Sequence, residues 1–352
     1  MRRIRTRAAR GRPLEWRIPF FLPRLMPSSR FRSLAAALVF AALPLCDAAQ
    51  AQAYPTKPIR IVVPYPAGGG LDVMARLLGD RLGKRLGQPT VIENKPGAGT
   101  IIGADTVAKA APDGYTLMIT ADTTITLNQH LYAKLPYDPV KDFIPVTQLV
   151  QLSQLLVLNA EVPANNLKEL IAYAKANPNK LNYASYGSGT PPHLAMETLK
   201  NIAGISVTHV PYKGLPQAVP AAIAGEVQMT FSGAASSMQH IKSGRLKAMA
   251  IGGKNRLPIL PEVATFTELG YPEVPASTWF GVFVPAGTPR EVVTKLHGEF
   301  KAVITEPEFV QKEVVAKGYE LSANTPEEFS ALIAAEIVRN AKAVKISGAK
   351  AE

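Results

Sequence analysis

Cysteine is almost missing from this chain. Its 352 residues include one, Cys46, so beyond that position no disulfide can form and no thiolate can hold a metal. Long apolar runs are missing too. After residue 53 no stretch approaches the ~20 apolar residues that a membrane helix needs. Arginine is sparse where it would matter most. Beyond residue 53 the chain has Arg60, Arg76, Arg81, Arg85, Arg245, Arg256, Arg290 and Arg339, and none lies in the glycine-rich loops described below. Such loops cannot clamp a carboxylate with a bidentate guanidinium. Histidines 130, 193, 209, 240 and 297 are scattered, without H-E-x-x-H spacing, which leaves no zinc motif.

What is present begins with a leader. Residues 1–53 hold ten Arg, no Lys, and only Glu15 and Asp47 as acids. The apolar run "LAAALVFAALPL" (Leu34 to Leu45) follows and ends near "AQA" (Ala51 to Ala53). A basic region, a short apolar core and an A-x-A site predict a cleavable signal peptide over 1–53 and export to the periplasm. Met26 opens "MPSSRFRSLAAAL", a signal of ordinary length, and is the expected true start. "LPLC" is a poor lipoprotein box, because Leu45 precedes the cysteine. The whole chain carries +12, of which the leader supplies +8 and the rest only +4. The high charge therefore gives no nucleic-acid reading, and no basic stripe interleaved with aromatics follows the leader.

Residues 54–352 suffice for two domains with cores of their own. Apolar and amphipathic runs alternate. Strand "IRIVVPY" leads to a helix over 71–86, "TVIEN" to a helix over 100–110, and "PDG" turns into strand "YTLMIT". A long loop, "ADTTITLNQHLYAKLPYDPVKDF", precedes the extended run Gln154 to Leu158. Helices are expected over 167–176, capped by Asn165 or Asn166, and over 193–203, 217–225 and 236–243. Strands "LNYAS", "VTHVPY", "VQMTF" and "LKAMAI" lie between or after them. The tail adds strand "WFGVFVPAGTP" and helices over 290–304, 307–317 and 326–344, with "GYELSANTP" as a break and the last five residues frayed. This is an α/β pattern with mostly parallel sheets.

Ligands of open parallel sheets bind beyond the carboxyl ends of the strands. Those ends read "PAGGGLD" (66–72), "KPGAGT" (95–100), "ADTT" (121–124), "YGSGTPP" (186–192), "YKGLPQ" (212–217) and "SGAASS" (232–237). They are rich in Gly, Ser, Thr and Ala, which expose backbone N–H groups, and helix starts aim such groups at an anion. Enzyme templates fail on the same loops. No Lys follows "AGGGLD" as a P-loop requires, and Gly68, Gly70 and Val73 miss G-x-G-x-x-G. "GAGTIIG" (Gly97 to Gly103) is one residue too long, although Asp122 ends the next strand where a ribose-binding acid would sit. Tyr186 replaces the first Gly of a G-x-S-x-G elbow around Ser188, and Ser347 with Lys350 has S-x-x-K spacing by chance. A carboxylate could rely on backbone N–H groups, on Ser188, Thr190 and Thr123, or on Lys213, which reads equally well as a solvated turn lysine. Asp72 reads as the cap of its helix, and His193 as a first-turn residue that ties down the loop before it. His209 and His240 read as structural.

Together these loops resemble the Bug family, the periplasmic substrate-binding receptors of tripartite tricarboxylate transporters. The similarity runs through the segment from "YPTKPIRIVVPYPAGGGLDVMARLLGDRLG" to "PDGYTLMI", then "NQHLYAKLPYDPVKDFIPVT", "SYGSGTPPHLAME", "HVPYKG", "IKSGRLKAMAI" and "WFGVFVPAGTP". It implies a two-lobed Venus-flytrap of periplasmic-binding-protein type II, with lobe 1 over 54–156 and 281–352 and lobe 2 over 157–280. It implies a small carboxylate held between the lobes, membrane permease subunits as partners, a monomer, no cofactor and no catalysis. By resemblance the ligand contacts are Ala67, Gly68, Gly69, Gly70 and Thr123 from lobe 1, and Gly187, Ser188, Gly189 and Thr190 from lobe 2. His193 lies behind the second set, and Tyr212, Lys213 and Ser232 face the same cleft. The family often has an acid after the strand matching "VQMTF"; Ser232 there disfavours a ligand with an ammonium group. A hinge is expected near 155–160 and 277–283. A sensory receptor of the same fold, signalling to a two-component system, and an exported α/β enzyme are the competing readings.

Overall fold

The computed structural model describes residues 54–212 and 215–350, with Pro19 and Phe20. The signal peptide, its Met26 start, Cys46 and Lys213 fall outside the described residues.

Among the described residues ten strands run in chain order: β1 Ile59–Val63, β2 Thr90–Asn94, β3 Thr116–Ala121, β4 Phe143–Asn159, β5 Asn182–Ser185, β6 Thr208–Pro211, β7 Met229–Gly233, β8 Leu246–Ile251, β9 Ser277–Pro285 and β10 Tyr319–Leu321. Hydrogen bonding follows the order β2-β1-β3-β9-β4-β7-β5-β6, with β8 and β10 both on β4. The ladders β1–β2, β1–β3, β5–β6 and β5–β7 are parallel. Those involving β4 or β9 are antiparallel. The expected parallel sheets are thus joined by β9 and β4, which run antiparallel to each other and to the parallel strands beside them.

β4 makes the two-lobed form. From Phe143 to Ser153 it pairs with β9, and from Gln154 to Leu158 with β7. β4 changes sheet partner between Ser153 and Gln154, and β9 begins at Ser277. β9 lies wholly in the first sheet because Met118–Ala121 of β3 pairs along it. At the crossing three backbones meet. Gln154 donates its N–H to the Ala276 carbonyl, and Gly252 donates to the Gln154 carbonyl, each at 2.9 Å.

Alternation within β1 explains the layering of the first lobe. Ile59, Ile61 and Val63 face one side, packing with Met74, Leu78 and Leu82 of helix Gly70–Leu86. Val62 faces the other, in a cluster with Met118, Trp279, Phe283 and Phe329. A strand of period two between two helical layers buries both faces. The second lobe repeats the plan, with Leu156 and Leu158 on one side and Leu155 and Val157 on the other.

Several expectations need correction. The loop after β3 is helical over Thr123–Leu127 and Asn128–Leu131, because Asp122 accepts the Thr123 N–H and Thr126 donates to the Asp122 carbonyl. β4 starts eleven residues before the expected run. "GYELSANTP" contains β10, which pairs with Val150–Leu152. The C-terminal helix Pro326–Ser347 opens with a capping box between Thr325 and Glu328. Its first turns bury Phe329 and Ile333 in the first lobe, while Ala343 and Val344 pack against Leu194 of helix Pro191–Ala203 in the second. The tail is not frayed through Lys350: Gly348 closes the helix in the left-handed conformation and Ala349 is buried.

The crossing should tolerate no side chain at Gly252, since a Cβ there would lie 1.7 Å from the Ala276 carbonyl oxygen. Gly252→Ala is expected to destabilise by about 3 kcal/mol, at the upper end for overpacking. Gly298→Ala, on helix Arg290–Ile304 with nothing within 4 Å, should instead stabilise by about 0.5–1 kcal/mol. Urea unfolding of both variants checks the contrast.

Candidate functional site

A cleft of about 670 Å³ opens between the ends of the two sheets. From the first lobe it is lined by Tyr65 after β1, Gly99 and Thr100 before helix Ile101–Ala108, Thr123, and the helical turn bearing Asn128, Leu131 and Tyr132. From the second come Tyr186–Pro191 after β5, and Pro211 and Tyr212 at the end of β6. Lys350 also reaches it.

The first-lobe wall is a web of hydroxyls. Thr124 donates to Thr100 Oγ1 at 2.9 Å, and Asn128 Nδ2 donates to the same oxygen and to the Gly99 carbonyl. These bonds hold Thr100 at φ +81°, a left-handed backbone that costs a threonine about 1–3 kcal/mol. Behind Thr123 sits a buried acid. Asp122 accepts from Thr278 Oγ1 at 2.5 Å and from the Thr123 N–H. Burial, reinforced by the nearby Glu336 carboxylate, pushes its pKa up to about 7. Glu336 is itself raised by burial, although Trp279 Nε1 and Arg339 donate to it.

The second-lobe wall is a loop folded on itself. Thr190 Oγ1 donates to the Gly187 carbonyl at 2.7 Å, and the Gly187 N–H donates to Ser185 Oγ. Gly187 and Gly189 take φ of +124° and +75°, which side-chain-bearing residues rarely adopt. The Gly189 N–H donates to His193 Nδ1 at 3.0 Å, so that nitrogen carries no proton. His193 stacks on His209 with centroids 4.3 Å apart, and His209 stacks on Tyr183. Burial holds both imidazoles neutral: His193 is lowered, and His209 is pushed down to about 4 by burial and by His193. Helix Pro191–Ala203 points its start at the cleft, but Pro191 and Pro192 have no N–H to offer. Ser188 is exposed on the lining and makes no hydrogen bond among the described residues.

The expected site residues divide accordingly. Thr123, Gly187, Ser188, Gly189, Thr190 and Tyr212 line one cleft. Ala67–Gly70 form an exposed turn next to Tyr65, set back from that lining. Within it the Gly68 N–H is already given to Asp72 Oδ2, and Asp72 also accepts from Asn94 and Arg76. Asp72 therefore pins the turn rather than capping the helix start, whose cap position is Gly69. His193 is buried under its loop, as its first-turn reading expected. Ser232 is fully buried and hydrogen-bonded to Ser237 on helix Ala234–Lys242, away from the lining. Tyr65, Tyr132, Tyr186, Leu131 and Lys350 were not anticipated. Tyr65 and Tyr186 stand directly before "PAGGG" and "GSGT", where their position at strand ends could have drawn attention.

Facing loops at the carboxyl ends of two sheets, joined by crossing strands, define a two-lobed periplasmic-binding-protein fold. Residues 74–348 match the family described as the tripartite tricarboxylate transporter family receptor, and the chain belongs to that family. It is similar to BugT of Bordetella pertussis, with 36% identity over 301 residues, 85% of this chain and 92% of that protein. Among solved structures it resembles an R. palustris protein with adipate, at 32% identity and a TM-score of 0.71 over 84% of this chain and 99% of that one. It also resembles MatC from Rhodopseudomonas palustris with bound malate, at 31% identity and 0.68 over 83% and 100%. The protein is a solute-binding receptor of the Bug type, not an enzyme.

Asp122 provides a test of the wall's electrostatics. Its folded pKa lies above the unfolded value of 3.8. Its contribution to stability is therefore complete below about pH 4 and lost as pH rises through about 7. Asp122→Asn keeps an acceptor for Thr123 and Thr278 without the charge. Its stability should be close to wild type at pH 4 and exceed it increasingly toward pH 7.5, by on the order of 4 kcal/mol, with a melting temperature that rises accordingly. Scanning calorimetry of the pair across that range checks the divergence, and the histidines, common to both proteins, cancel.

Proposed function

We propose that the protein captures a small organic carboxylate between its lobes in the periplasm, after removal of its signal peptide, and delivers it to the membrane subunits of a tripartite tricarboxylate-type transporter. The observation that carries this reading is one cleft faced by Thr100 and Thr123 from one lobe and by Ser188 and Thr190 from the other. The family match supports it, as do relatives solved with adipate and malate. Among the described residues no helix is long and apolar enough to cross a membrane.

In this reading the acid meets hydroxyls, backbone N–H groups and a helix start, and the lobes close over it by bending where β4 and the segment before β9 cross. Ala67, Gly68, Gly69 and Gly70 lie outside the lining of the cleft as it stands. Closure carries the free N–H groups at the start of helix Gly70–Leu86 toward the guest. A ligand shifts the lobes only if it binds the closed form more tightly.

Gly69 is the position to test. Its φ of −73° suits any residue, and a Cβ would meet only the Pro66 carbonyl, at 3.6 Å. Gly69→Leu should fold with an unchanged melting temperature and lose the thermal shift that a screen of small carboxylates gives the wild type. Wild-type affinity in that variant would place the glycine turn away from the ligand.

A further inference from the structure

We infer that the acid taken into the cleft is aromatic and carries a single carboxylate. The inference rests on the carboxylate-receptor reading above and narrows it. Four tyrosines line the cleft, Tyr65 and Tyr132 from the first lobe and Tyr186 and Tyr212 from the second. Their hydroxyls are mostly turned into the protein. Tyr186 donates to the Phe231 carbonyl at 2.5 Å. The Tyr132 hydroxyl lies so close over Gly99 that a Cβ there would come within 2.3 Å of it. The Tyr65 hydroxyl is buried against Thr124 and Thr123. Tyr212 alone leaves its hydroxyl loosely held, 3.5 Å from Glu226. What these side chains offer a guest is ring surface, extended by Leu131. Such surface favours another ring, offset or edge-on.

The charges agree. Among the described residues Lys350 is the one cationic side chain on the lining, and no Asp or Glu lies there. Each carboxylate moved into the crevice loses hydration that pairing or hydrogen bonds must replace. A di- or tricarboxylate brings two or three such groups to a wall whose polar side chains are largely engaged with one another. A benzoate-like acid brings one, which Ser188, Thr123 and nearby amides can hold, and sets its apolar body among the tyrosines.

Calorimetric titration of the mature protein with benzoate, cyclohexanecarboxylate, adipate, malate and citrate tests the inference. Benzoate is expected to bind at least tenfold more tightly than any of the others. Tyr132→Phe, which keeps the ring, should hold benzoate within about twofold of wild type. Tyr132→Leu should weaken it tenfold or more, with circular dichroism confirming that the variant is folded. Should adipate, malate or citrate bind best, the inference falls while the carboxylate-receptor reading stands. Equal binding of cyclohexanecarboxylate and benzoate also overturns it, by showing that bulk rather than aromaticity is recognised. If none of the five binds, both readings fail.

Discussion

The structure depends on a strand that serves two sheets. β4 donates its first eleven residues to one lobe and its last to the other, so the lobes cannot part without breaking its ladders. This fixes which ends of the two sheets face each other. The parallel strands β1 and β3 of one lobe, and β5 and β6 of the other, end toward one crevice, and their following loops become its walls. The crossing is narrow because Gly252 carries no side chain beside Ala276. A close, all-backbone crossing leaves few side chains to repack when the lobes move, which suits a hinge.

A second constraint comes from how the walls are built. Backbone N–H groups that look available in the sequence are partly committed. Gly68 serves Asp72, Gly189 serves His193, and two prolines open the second-lobe helix. These bonds set rigid loops at left-handed glycines, and a preorganised loop loses less entropy when a ligand arrives. Among the described residues they leave the Ser188 hydroxyl uncommitted, with ring faces around it on the same lining. Among the described residues no arginine lies on that lining, where a guanidinium would favour charge over shape.

The fold was legible in the sequence wherever periodicity was strong. "IRIVV", "TVIEN" and "LKAMAI" lie as expected, as does helix Leu167–Ala176 with its Asn166 cap. It was hidden where side chains rather than patterns decide. "TTITLNQHL" is rich in β-branched residues and reads as loop, yet hydroxyl and carboxylate bonds to the backbone coil it. The length of β4 was obscured by polar residues such as Gln148 and Gln151, which alternation alone does not mark as paired to two lobes. The cleft-lining loops at Gly99 and at Gly187 to Gly189 were legible from their glycines. Tyr65, Tyr132 and Tyr186 beside them carry no charge-binding signature and so do not stand out in the sequence, whereas Tyr212 does by resemblance. Ser232 was misplaced because strand alternation turns its side chain to the helix that follows.

The C-terminal helix ties these features together. It begins in the first-lobe core, beside Trp279 and Phe283, and ends against Leu194 at the start of the second-lobe helix that follows the Ser188 loop. Between those ends, Glu336 accepts from Trp279 and raises Asp122, while Asn340 donates to Thr126 in the turn after Thr123. The helix thus touches the first-lobe wall and the second-lobe helix, and the segment after it brings Lys350 to the lining of the cleft. A strap attached on both sides ties the packing of Leu194 against Ala343 and Val344 to the turn that carries Thr123, because one helix makes both contacts. Coupling of this kind needs no contact between the distant groups, only a packed helix stiff enough to transmit the displacement.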